Sequence, residues 1–170
     1  MEKQQKQEVV KTVLCTLITV TILQIFVIQS FWIPSESMQP TIEIGDRVLV
    51  CKFMKYLPWH KTERGDIIVF TSPLDPRMTY IKRVVGLPGE RIEIRNGTVY
   101  INDVILPEKY VINTDAGNLA PVTIPADHYF CMGDNRPKSN DSRMWGYVPS
   151  DFIKGPAVFR YWPLSRVGVM

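Results

Sequence analysis

Three stretches of the chain combine residue types and spacings that could do chemistry. The first is Ile33-Pro-Ser-Glu-Ser-Met-Gln-Pro-Thr41. Ser35 and Ser37 stand two residues apart in a proline-bounded, extended segment, so their hydroxyls can point to the same side. One hydroxyl could attack a carbonyl while the other donates a hydrogen bond to the developing oxyanion. The plainer reading of a Ser/Pro segment is a linker. The second stretch is Thr79-Tyr-Ile-Lys-Arg-Val-Val-Gly-Leu-Pro-Gly-Glu90, in which Lys82 and Arg83 interrupt an apolar strand. Alternation groups Tyr80, Lys82 and Val84 on one face, and Ile81, Arg83 and Val85 on the other. It does not say which face is buried. An arginine keeps its proton in a protein, whereas a desolvated lysine can become a neutral base. Two solvated cations on an edge strand is the competing reading. The third stretch, Met132 to Gly146, holds Asp134, Arg136, Asp141 and Arg143 among small hydrogen-bonding residues. That mixture suits a packed polar network, although a solvated loop is the default.

The elements that must hold these residues fall into two kinds. From Thr12 to Ser35 there is no charged residue, and the 21 residues Val13 to Ile33 are mostly Val, Leu, Ile and Phe. As a helix they would span roughly 30 Å, the thickness of a bilayer's hydrocarbon core. Thr16, Thr19, Thr21 and Gln24 are too few to make a solvated face. A cleaved leader would have a shorter apolar run and small residues at its end, where Phe31, Trp32 and Ile33 stand instead. The run is therefore read as an uncleaved transmembrane helix over 12–33, with Trp32 as an interfacial anchor. Lys3, Lys6 and Lys11 before it put residues 1–11 in the cytoplasm and residues 34–170 outside.

Beyond the helix the pattern turns short and strand-like at 47–51, 66–70, 80–85 and 157–162, each bounded by Gly, Pro or Asp. Arg91 to Asn102 reads as two alternating runs about Asn96-Gly97, a pair suited to a type I′ hairpin turn. The expected fold is mostly β: an antiparallel β-sheet domain with a small accessory β region at about 91–130. Segments 52–65 and 107–126 read as surface loops. With 170 residues, 45% of them hydrophobic and 22% charged, the chain is long enough for one compact domain and is not a disordered one. A net charge of +3 without basic clustering argues against a nucleic-acid binder. Cys15, Cys51 and Cys131 with His60 and His128 lack metal-ligand spacing. No metal and no cofactor is expected. Cys51 and Cys131 read as buried free thiols, with a bridge between them left open.

Together and in this order, the three stretches resemble the conserved boxes of the type I signal peptidases, membrane-bound serine–lysine proteases that remove signal peptides from exported proteins. Phe31 to Thr41, running into Ile44-Gly-Asp46, resembles the serine box. Tyr80 to Glu90 resembles the lysine box, and Met132 to Pro149 the Gly-Asp-Asn box. The resemblance implies Ser37 as nucleophile, Lys82 as general base, and Ser35 as the hydroxyl that completes the oxyanion hole. It implies Ser139 as a hydrogen-bond partner of the lysine, and Asp141 with Arg143 as a supporting salt bridge. Phe31, Ile33, Met38, Ile42, Tyr80 and Ile81 match positions lining small apolar pockets, which implies cleavage after small-x-small (Ala-x-Ala) sites. The implied partners are preproteins, the lipid bilayer of a bacterial plasma or thylakoid membrane, and, transiently, the protein-export machinery. The chain departs from the pattern in having about 45 residues between the lysine and Gly-Asp-Asn boxes and one apolar run rather than two. Two other readings are a serine hydrolase using His128 and a non-catalytic, membrane-tethered β domain that binds partners.

Overall fold

A computed structural model describes residues 2–57 and 61–170. Helix α1 (Glu2–Phe26) is followed by strands β1 (Ile28–Trp32), β2 (Arg47–Cys51), β3 (Ile67–Thr71) and β4 (Thr79–Gly86). Next come β5 (Arg91–Arg95), β6 (Thr98–Ile101), β7 (Val104–Ile105), β8 (Leu119–Thr123) and β9 (His128–Met132). A single-turn helix α2 (Ser142–Trp145) precedes β10 (Val148–Pro149), β11 (Ile153–Trp162) and β12 (Gly168–Val169). The larger sheet runs β1-β2-β11-β3-β4-β9-β10, with β12 also on β11, and the smaller runs β7-β6-β5-β8. Every described strand pair is antiparallel.

The middle of the larger sheet is apolar on both faces, and β3 shows why. Successive side chains of a strand point to opposite sides. Ile67 and Val69 therefore join Ile33, Met38, Ile42, Val48 and Val50 in one core, while Ile68 and Phe70 join Val84, Cys131 and Val148 in another. A third core, of Val85, Ile92, Val99, Ile124 and Phe130, seats the small sheet against β4 and β9. The 91–102 hairpin forms as expected: Asn96 and Gly97 both have positive φ, 47° and 80°, as a type I′ turn requires.

Two expectations are corrected. The apolar run is not one helix over 12–33, because α1 ends at Phe26 and Ile28–Trp32 pair with β2, from Ile28↔Cys51 to Trp32↔Arg47. Among the described residues no helix is long and apolar enough to cross a membrane. The segment 107–126 is not all loop: Leu119–Thr123 form β8, whose Val122 and Leu119 pair with Ile92 and Ile94 across a register shift. The bulge and Pro121 break the strict alternation by which a strand is recognised. In the 52–65 loop a short 3-10 turn covers Phe53–Tyr56, and His60 lies outside the described residues. Cys51 and Cys131 are unbridged, the latter buried.

Candidate active site

The Ser/Pro segment is no linker. Ile33 N–H donates to Asp46 O at 3.0 Å, and Gly45 N–H returns a bond to Ile33 O at 2.8 Å. Gln39 N–H donates to Glu36 O and Ile42 N–H to Met38 O, so the chain turns tightly about Ser37. Met38 and Ile42, fully buried, drive that turn into the core. Ser37 is thereby carried inside, only 5% exposed. Its hydroxyl lies 2.6 Å from Lys82 Nζ and 3.3 Å from Ser35 Oγ.

Lys82 reaches Ser37 from the middle of β4 and is 4% exposed. It is paired with Ile68 of β3, flanked on its own face by Tyr80 and Val84, and lies 5.7 Å from the centre of the Tyr80 ring. Tyr80 stacks on Trp145 of α2, with Phe70 edge-on to it. Taking an ammonium out of water favours its neutral form. Burial pushes the Lys82 amine down from 10.5 to about 8, against the opposing pull of Asp141, Cys131 and Asp134.

Arg83 points the other way. Its guanidinium donates to both oxygens of the fully buried Asp134, at 2.9 and 2.7 Å, and to Gly65 O at 2.7 Å. Thr41 Oγ1 donates to the same Asp134, tying the serine segment to the lysine strand. The expected pair of Asp141 and Arg143 is formed by two bonds, at 2.8 and 2.9 Å. Asp141 also caps α2 and accepts the Gly133 N–H at 3.0 Å. Asn135 closes the site from behind, its N–H and side-chain amide each donating at 3.1 Å, to Ser37 O and Glu36 O.

A groove of about 330 Å³ opens beside the pair, lined by Phe31, Trp32 and Ile33 on one bank and by Thr79, Tyr80, Ile81 and Lys82 on the other. Ser35 is on its wall, as are Pro34, Val69 and Met78. Of the expected pocket residues, Phe31, Ile33, Tyr80 and Ile81 line the groove. Met38 and Ile42 do not, because both are wholly enclosed in the core beneath it. The expected bond from Ser139 to Lys82 is also absent: Ser139 Oγ is buried with no hydrogen-bond partner among the described residues. It packs against Gly133, where an added Cβ would lie 2.3 Å from it and 2.4 Å from Ser37 O. His128 bonds Ala126 O through Nδ1 and faces Tyr147, so it does not serve Ser37. Sequence reasoning missed Val69 and Met78 in the groove; Val69 reaches it through its pairing with Ile81, which only the sheet register reveals.

A serine hydroxyl in contact with a desolvated lysine amine, beside an apolar groove in a β domain, defines the arrangement of a serine–lysine hydrolase. The model of the family "Signal peptidase, peptidase S26" matches residues 6–162, and the chain belongs to that family. It is 40% identical over 165 residues to a probable signal peptidase I-2 of Synechocystis sp., covering 91% of this chain and 74% of that protein. It is 41% identical over 168 residues to a signal peptidase I of Leptolyngbya laminosa, covering 95% and 82%. The crystal structure of a signal peptidase I from Enterococcus faecalis V583 superposes with a TM-score of 0.51 at 37% identity, over 56% of this chain and 96% of that one.

Proposed function

We propose that the chain is a membrane-anchored endopeptidase that removes signal peptides from exported preproteins, with Ser37 as nucleophile and Lys82 as general base. The observation that carries this reading is the 2.6 Å contact of two buried side chains, one of them a lysine whose amine is neutral above about pH 8. With Lys82 neutral, the Ser37 hydroxyl donates to the amine lone pair and loses its proton to it as Oγ attacks the scissile carbonyl. The Ser35 hydroxyl and the Ser37 N–H stabilise the oxyanion. The lysinium then protonates the leaving amine, and water, deprotonated by the same lysine, releases the acyl group from Ser37. Asp141 and Arg143 hold the loop that backs the pair.

The groove sets specificity. Its walls are Phe31, Ile33, Tyr80 and Ile81, and Met38 and Ile42 act beneath it as packing. In this reading the apolar banks of the groove accept Ala, Gly or Ser and disfavour larger side chains, giving small-x-small cleavage.

The anchor in this reading is α1. Every described side chain from Gln4 to Thr21 is exposed, with Val10 and Leu17 as open as 65% and 60%. Water penalises such a surface and lipid does not. Thr12 to Phe26 carries no charge but spans only about 22 Å, short of a hydrocarbon core of roughly 30 Å. In this reading α1 anchors the chain with Lys11 reaching back toward the headgroups and the bilayer thinning around it. Residues 1–11 are then cytoplasmic, the outer domain begins at β1, and Ser37 stands eleven residues past the end of the helix. Trp32 and Trp162 are exposed and both pair with Arg47, a placement suited to the membrane–water interface. A signal peptide emerging from the bilayer, handed over by the export machinery, meets the groove at that depth. Incubating a labelled preprotein in vesicles with wild type and with Lys82→Ala tests the reading: cleavage by the first alone is expected, and equal cleavage by both refutes it.

A further inference from the structure

The segment 107–118, between β7 and β8, crosses from the small sheet to the back of the Ser37–Lys82 pair. It is docked at the small sheet by the 91–102 hairpin. Gly97 N–H donates to Gly117 O at 2.9 Å and Asn96 N–H to Asn118 Oδ1 at 2.8 Å. The fit is close, since a Cβ at Gly97 would lie 1.9 Å from the Asp115 carbonyl oxygen. From this base the segment presents two carboxylates and one aromatic ring to three arginines of the larger domain. Glu108 pairs with Arg136, the two side chains being 8% and 2% exposed, and Tyr110 donates to the same Glu108 oxygen at 2.8 Å. Asp115 pairs with Arg143. The Tyr110 ring lies 4.0 Å beneath the Arg83 guanidinium.

Each arginine passes this hold to the loop behind the nucleophile. Arg136 Nε donates to Gly133 O at 3.1 Å; Arg143 Nη2 donates to Arg136 O at 2.7 Å and to Ser139 O at 3.3 Å; Arg83 clamps Asp134. A Cβ at Gly133 would lie 2.4 Å from Ser37 O, so the loop packs closely on the nucleophile's backbone, and Asn135 bonds the Ser37 carbonyl directly. Buried ion pairs are poor stabilisers compared with apolar packing, and their best use is to fix geometry. Here the buried Glu108–Arg136 pair and the partly exposed Asp115–Arg143 pair converge on a single loop.

We propose that the 107–118 strap positions the Ser37–Lys82 pair, with Glu108 and Asp115 as positioning residues acting through Arg136 and Arg143. The inference rests on the reading of Ser37 and Lys82 as the reacting groups. Nucleophile and base must stay aligned to within a fraction of an ångström, so a loosened loop lowers turnover rather than substrate affinity.

The test uses the full-length chain in vesicles with a preprotein substrate. Glu108→Gln, Asp115→Asn and Asp115→Glu are compared with wild type, with Lys82→Ala, and with Asp103→Asn, which breaks the exposed pair to Arg91 on the small sheet. Kinetics are normalised to the folded fraction from thermal melting. Glu108→Gln and Asp115→Asn are expected to lower kcat about tenfold or more with KM within about twofold. Asp115→Glu keeps the charge and restores most of kcat, and Asp103→Asn matches wild type. If Glu108→Gln does not fold, Asp115, whose side chain is 32% exposed, decides the matter. Wild-type kcat per folded molecule in Asp115→Asn, or a change confined to KM, overturns the proposal while leaving the Ser37–Lys82 reading intact. Activity in Lys82→Ala overturns both.

Discussion

Lys82 and Arg83 are neighbours on one strand, both basic and both largely enclosed, and they face opposite sides of β4. Arg83 meets a buried carboxylate in a two-bond fork, a backbone carbonyl and an aromatic face. Lys82 meets apolar side chains and a serine hydroxyl. The comparison separates burial from charge. A guanidinium keeps its proton and, once paired, becomes a clamp. An ammonium denied a carboxylate within bonding distance gives up its charge more readily and becomes a base. Two adjacent basic residues thus become a structural cation on one face and, in the proposed reading, a reactive amine on the other.

The largest effect should come from removing the reactive half. Lys82→Met, which keeps the length and apolar character of the side chain, and Ser37→Ala are each expected to slow preprotein cleavage by at least about a thousandfold. Both should leave the circular dichroism spectrum unchanged. Normal turnover in either would erase the distinction between the two faces.

On the clamp side the expected loss is in stability. Asp134→Asn leaves a buried guanidinium with no counter-charge and also weakens the tie from Thr41. The cost should be about 3–5 kcal/mol in a denaturant titration. Arg83→Lys should recover little of it, since an ammonium cannot make the two parallel bonds. A variant as stable as wild type would mean that Arg83 is solvated like any surface cation.

Much of this contrast lies beyond what the sequence can express. The hairpin at 91–102 and strand β2 are legible because their alternation and turn chemistry are local. The orientation of Lys82 is not, because both faces of β4 are apolar: Ile81 enters one core and Val84 the other. Only the pairing with β3 and the long-range turn about Ser37 decide it. The end of the first helix escapes for a similar reason. Ile28 to Trp32 continue a run apolar enough for lipid, and they leave the helix because β2 offers a partner strand. The strap carboxylates escape too, since the arginines they meet are 28 residues away in the chain.

Proton linkage offers a finer probe of the reactive face. The Lys82 amine titrates at about 8 in the folded chain, below its ordinary 10.5. Between these values the unfolded chain holds the extra proton, so this group's contribution to stability rises with pH from 8 to 10.5. Below pH 8 both states are protonated and the full cost of burying the ammonium, about 3 kcal/mol, is present. Lys82→Met should therefore be more stable than wild type at pH 7 by up to about 3 kcal/mol, and the pH-dependent part of that advantage should vanish by pH 10.5. Urea unfolding at the two pH values measures it, and a pH-independent difference would mean that the amine is not desolvated. Cleavage should follow the same group, rising about tenfold per pH unit up to pH 8 and levelling above it.

Ser139 provides the smallest and most discriminating change. Its hydroxyl is buried against Gly133 without a hydrogen-bond partner among the described residues. Removing an unpaired buried hydroxyl relieves its desolvation cost, and Ser139→Ala should match or exceed wild-type stability by about 1 kcal/mol. Its kcat should stay within about threefold of wild type, because the Ser37–Lys82 contact and the burial of the amine do not pass through it. A loss approaching that of Lys82→Met would require the hydroxyl to turn toward the amine during the reaction. In that case the lysine face, like the arginine face, would depend on a dedicated polar partner, and the contrast between them would lie in the strength of that partner rather than in its presence.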